Sequence, residues 1–123
     1  MAMETRAVFS SQRRFIVALY ELSHGLLLLR SVKTNEYSTR IDVLFQSVRA
    51  MEMRCWFDGV SIAEVDREFL VGFRSNPVAM IEPGNKVYAI NGLGWQGYVL
   101  GGIVQTLEDE RDRLDPSGLM EPR

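Results

Sequence analysis

From Arg13 the chain turns apolar: Phe15-Ile16-Val17-Ala18-Leu19-Tyr20, then Ser23-His24-Gly25, then Leu26-Leu27-Leu28-Leu29 and Val32. Two short runs of apolar residues, the first β-branched and aromatic, joined by a few residues containing a glycine, predict a β-hairpin. Gly25 is the residue that takes positive φ without steric cost in its turn. Both runs are apolar on both faces, which predicts strands whose second face is also covered, in a barrel or in a sandwich with further structure outside it. Residues 1–12 are polar and without period, and read as a lead-in.

Between Thr39 and Met53 the pattern supports two elements. Ile41, Leu44, Phe45, Val48 and Met51 fall at helical spacing behind Thr39 as an N-cap. Equally, Ile41, Val43 and Phe45 alternate as in a strand, and after a bulge Val48, Met51 and Met53 face the same way. Beyond this, Asp58-Gly59 reads as a turn and Val60 and Ile62 as a strand. Asp66 to Arg74 fits a short helix or strand. Asn76-Pro77 and Pro83-Gly84-Asn85 are breakers. Lys86 to Ile90 is a strand, Asn91 to Gly97 a turn, and Tyr98 to Thr106 a long strand bent at Gly101-Gly102. From Glu108 the chain is charged, with Asp109 and Arg113 at the spacing of a helical ion pair.

The expected fold is therefore all-β or mostly β. It is a single-domain barrel or sandwich of about seven or eight short antiparallel strands with one short helix. Residues 1–12 form the lead-in, 13–107 the domain, and 108–123 a charged C-terminal helix or tail.

Composition narrows the function classes. With 123 residues, 46% hydrophobic and 24% charged, the chain has the make-up of one globular domain. Its formal net charge of −2 and scattered cations lack the basic footprint of nucleic-acid binding. Cys55 stands alone, which excludes an internal disulfide and fits a reducing compartment. Met1 to Arg14 has no apolar core of a signal peptide, and no apolar run reaches membrane-spanning length. A cytoplasmic protein with no membrane association is expected.

Several motifs invite a chemistry. Gly92-Leu93-Gly94-Trp95-Gln96-Gly97 is a G-x-G-x-x-G after a strand. A dinucleotide site needs a helix to follow and an acid about 20 residues on. Strand-like Tyr98 to Val104 follows instead, and Ser117 stands where the acid belongs. A hairpin turn accounts for the glycines, and no cofactor is expected. His24 and Cys55 are too few for a zinc site, and no metal is expected. Cys55, beside Arg54, is a candidate thiolate, with a small buried hydrophobe as the ordinary alternative. Asp42, Asp58, Glu64 and Asp66 are the acids any β-protein carries on its surface. No catalytic residue is assigned. Trp56 and Trp95 lie beside predicted turns, with Arg54 and Tyr98 adjacent. Aromatics and arginine are the residue types enriched at binding hot spots, so Arg54, Trp56, Trp95 and Tyr98 are the candidate binding residues, with core packing the competing fate.

Ser23 to Arg30, Thr39 to Phe45, then Val48, Met51 and Met53, then Gly59 to Ile62, with Gly97 to Gly102 closing the chain, form a pattern of apolar spacing over about two-thirds of the sequence. In this the chain resembles a loose group of small bacterial β-proteins, some of them classed as toxin-immunity proteins. The resemblance favours strand over helix for residues 41–53. It implies a non-catalytic module that binds and blocks one protein partner, and it carries over no functional residues. The competing functions are a carrier holding an apolar molecule inside a barrel and an enzyme using Cys55 or His24. An unprotected strand edge would also suit a homodimer.

Overall fold

A computed structural model of the chain describes residues 5–121. Eight antiparallel strands form one sheet: β1 (Thr5–Glu21), β2 (Leu26–Ser31), β3 (Arg40–Phe45), β4 (Ala50–Glu52), β5 (Trp56–Val65), β6 (Lys86–Gly92), β7 (Trp95–Gly101) and β8 (Val104–Asp109). Their order across the sheet is β4-β7-β6-β5-β1-β2-β3-β8. The mostly-β, single-domain expectation holds, and the only helices among the described residues are three short 3-10 turns. None is long and apolar enough to cross a membrane.

The sheet curls without closing. Phe45 on β3 and Tyr88 on β6 stand four places apart in the strand order, about 19 Å in a flat sheet, yet their ring centroids are 5.4 Å apart. The Tyr88 hydroxyl also donates to the Gly102 carbonyl at 2.6 Å. Both ends of the strand order come from the same two stretches, 40–52 and 95–109, which run side by side through a bend. Hydrogen bonds from Gln46 N to Ile103 O and from Gly102 N to Gln46 O carry the pairing around that corner. The concave face encloses the main core, which includes Phe15, Leu27, Leu29, Val43, Phe45, Phe57, Ile62 and Ile90.

The convex face is covered twice, which explains the doubly apolar strands. Over β6 and β7, the 3-10 turns Arg67–Gly72 and Pro77–Met80 build a second core around Leu70, Val87, Tyr98 and Leu100. Over β2 and β3, the segment after β8 is tied down by two arginines. Arg30 grips its cross-strand partner Asp42 through Nε at 2.7 Å and Nη2 at 3.1 Å. Arg40, wholly buried, donates to the carbonyls of Asp112, Asp115 and Pro116. Its Nε has no hydrogen-bond acceptor and lies 3.5 Å from the Asp109 carboxylate. Taking these charges from water is costly, and it is offset only because each carboxylate and carbonyl is placed on a donor.

Three expectations are corrected, the helix reading of the C-terminal stretch among them, and one open alternative is decided. Residues 5–12 are not a lead-in but the first half of β1, laddered onto β5 from Thr5 opposite Val65. Residues 108–121 contain no α-helix: Glu108 and Asp109 finish β8, and Asp109 pairs with Arg111 and Arg40 rather than Arg113. Asp58-Gly59 is not a turn. Gly59, at φ +76°, lies inside β5 where the β1–β5 register slips between Ser11 and Arg14, a bulge in the ladder. The stretch 41–53 is the strand alternative, bent at Ser47 (φ 58°), with Ile41, Val43, Phe45, Val48, Met51 and Met53 all on the main core. The edges that the sequence left undecided are three-residue β4 and β8.

Candidate functional site

The glycine motif is a hairpin built around Trp95. Gly92 and Trp95 are cross-strand partners flanking the two-residue turn Leu93-Gly94, with Gly94 at φ +80°. A side chain at residue 92 would collide with the Trp95 indole nitrogen, and one at residue 97 with the Glu52 carbonyl of β4. The glycines therefore seat the indole and let two backbones approach, with no helix and no phosphate cradle. The hairpin lays Trp95 against Phe57, ring centroids 5.1 Å apart, and leaves Leu93 82% exposed at its tip.

Facing it, the β4–β5 connection supplies Met53, Arg54 and Cys55, and the first residue of β5 is Trp56. Together these walls bound a groove of about 530 Å³. Phe57 points inward, stacked on Phe15 at 6.4 Å, so by strand alternation its neighbour Trp56 points out. Trp56 is 56% exposed and directly opposite Ile16 of β1, which is 40% exposed. The indole is nonetheless held. The Arg14 guanidinium lies 4.7 Å from its ring centre, and Asp58, Arg14's own cross-strand partner, fixes that guanidinium through Nε at 2.7 Å and Nη2 at 3.1 Å. Hydrogen bonding from Arg14, then its charge, holds the Asp58 carboxyl below its ordinary range. Asp58 and Arg14 also border a second groove of about 570 Å³, which runs along β1 to the 32–37 loop.

Of the four sequence candidates, the structure brings three together: Arg54, Trp56 and Trp95 line the same groove. Arg54 lies over the Trp95 ring at 5.6 Å. Tyr98 is elsewhere, buried in the second core against Phe73 and bonded to the Ser75 hydroxyl, so it presents nothing to a partner at this surface. Sequence reading missed Arg14 and Asp58, whose pairing depends on the β1–β5 register, and Leu93, which an apolar residue at a glycine turn could have signalled. Cys55 is exposed rather than buried. His24 is an exposed turn residue whose Nδ1 lies 2.9 Å from Glu21, and no hydrogen bond joins it to Cys55. Among the described residues no group of three or more His, Cys, Asp or Glu side chains could hold a metal.

No known protein family, curated protein or solved structure matches the chain.

Proposed function

We propose that this chain is a non-catalytic protein-binding module whose partner seats on the Trp56 groove. The observation that carries the reading is Trp56 itself, a large aromatic 56% exposed, with the Asp58-paired guanidinium of Arg14 4.7 Å from its ring centre. Exposing an indole to water is unfavourable, and that cost is recovered when a partner covers it as an anchor. Leu93, Met53 and Trp95 extend the apolar floor, and Ile16 continues it onto β1. In its narrower form, drawn from the resemblance to small β-proteins of the immunity class, the module would block a single protein stoichiometrically.

The competing readings have less behind them. The concave interior is filled by the rings of Phe15, Phe45, Phe57 and Tyr88, which leaves an apolar ligand little to occupy. Cys55 lies at the groove, and among the described residues no hydrogen-bonded base activates it.

The test compares immobilised wild type with Trp56→Ser, each presented to a lysate of the native host. One protein retained near stoichiometry by wild type and lost by the variant is the expected result. Because Trp56 is a surface residue, the variant should unfold within about 0.5 kcal/mol of wild type. Equal retention of every protein by both forms would overturn the reading.

A further inference from the structure

The charges around the groove are unevenly committed. Four arginines border the two adjoining grooves: Arg13, Arg14, Arg30 and Arg54. Arg13 meets Glu108 at 3.4 Å, Arg14 meets Asp58 at 2.7 Å, and Arg30 meets Asp42 at 2.7 Å. Arg54 differs. Among the described residues no carboxylate or carbonyl accepts from it, and its only partner is the face of Trp95. A guanidinium has five N–H donors in a planar fork, and stacking on an indole uses none of them. The fork lies beside the apolar walls of Met53, Trp56 and Leu93. In a chain of net charge −2, this is a single uncommitted cation placed next to a hydrophobic slot.

We infer that the groove takes a segment of the partner protein in which a large apolar side chain is flanked by an Asp or Glu. The apolar group enters between Trp56, Trp95 and Leu93, and the carboxylate receives the fork of Arg54. The inference rests on the protein-binding reading and specifies the partner's chemistry. Aromatics beside arginine also suit single-stranded nucleic acid, but that mode needs a cationic track along the backbone, and the neighbouring arginines are already neutralised.

The probe is a random linear peptide library displayed on phage, selected against the full chain and counter-tested on Trp56→Ser and Arg54→Glu. Both changes are at exposed positions, and circular dichroism checks that each variant is folded. The expected peptides share an acidic residue beside a Leu, Phe, Tyr or Trp, and fail on Trp56→Ser. They bind Arg54→Glu roughly tenfold or more weakly, as loss of a charge-paired contact predicts. Selection on Arg54→Glu itself should return basic residues at the same place. Peptides that need Trp56 but carry no acid and ignore Arg54→Glu would overturn this inference and leave the protein-binding reading standing. Peptides indifferent to Trp56, or none at all, would overturn both. Self-association in sedimentation that Trp56→Ser abolishes would assign the groove to a second copy and overturn the inference. Oligonucleotide binding lost in Arg54→Glu would do the same.

Discussion

Arg14 and Asp58 lie 44 positions apart and meet as cross-strand partners through two hydrogen bonds, with Trp56 beneath the same guanidinium. One ion pair between exposed side chains contributes little to stability. Its consequence is local, since it places the guanidinium against the more exposed of the two tryptophans.

That relationship predicts a pH response. The folded state holds Asp58 below its ordinary pKa of 3.8. A depressed carboxyl keeps its ion pair intact above the ordinary value and loses it only as pH falls through the lowered one. Trp56 emission, measured with Trp95→Phe to remove the second indole, should stay constant from neutrality down to that ordinary value and change only in stronger acid. Asp58→Asn should give the acid-form emission at neutral pH. A midpoint at or above 3.8 would show that the pair does not govern the indole.

The buried cluster of Arg30, Asp42 and Arg40 predicts a large loss of stability from a small change. Asp42→Asn keeps the shape and removes the charge that faces both guanidinium groups, at 2.7 Å and 3.6 Å. Breaking a buried pair leaves uncompensated charge and costs about 3–5 kcal/mol, read by urea unfolding. Arg40→Met should cost less, because it removes the charge with its orphaned Nε. It should also free the 112–116 loop, so that the Asp115 amide, bonded to the Asp112 carbonyl, loses hydrogen-exchange protection.

Two glycine substitutions should diverge. Gly97→Ala drives a methyl into the Glu52 carbonyl and should cost roughly 1–3 kcal/mol as β4 is pushed off β7. Gly72→Ala meets nothing within 4 Å and should be neutral or stabilise by about 0.4–1 kcal/mol through the unfolded chain. Thermal unfolding of the two variants measures the contrast. If Gly97→Ala were neutral, the close approach of β4 would be wrong.

Tyr88 should ionise only at higher pH than an ordinary tyrosine. Burial, and secondarily the Glu64 carboxylate, raise its pKa above the ordinary 10.0. A raised folded pKa means that the stabilisation is complete below the ordinary value and declines as pH rises through the higher one. Absorbance at alkaline pH should show one tyrosine titrating late in wild type and absent in Tyr88→Phe. That variant also loses the bond to Gly102 and should be less stable by about 1–2 kcal/mol.

The sequence by itself determined the material of the fold. Alternation and apolar runs marked β2, β6 and β7 and left β3 open between helix and strand, Gly101-Gly102 marked the corner, and the helix-weakening strand after Gly97 excluded a dinucleotide site. Three residues that line the Trp56 groove, Arg54, Trp56 and Trp95, were also legible, as aromatics beside turns with an arginine adjacent. What only the tertiary structure decided were the facts set by pairing between distant strands. Thr5 to Gln12 is a strand because β5 offers it a ladder and the core takes Val8 and Phe9, and Asp58-Gly59 bulges rather than turns because β1 lies opposite. Tyr98 and Trp95 look alike in sequence, but one faces the layer of 3-10 turns and the other the open end of the sheet. The Arg14–Asp58 brace and the uncommitted fork of Arg54 exist only in that register. A local pattern fixes which faces of a strand are apolar, whereas which strand or loop lies against each face is a long-range choice that no window of sequence contains.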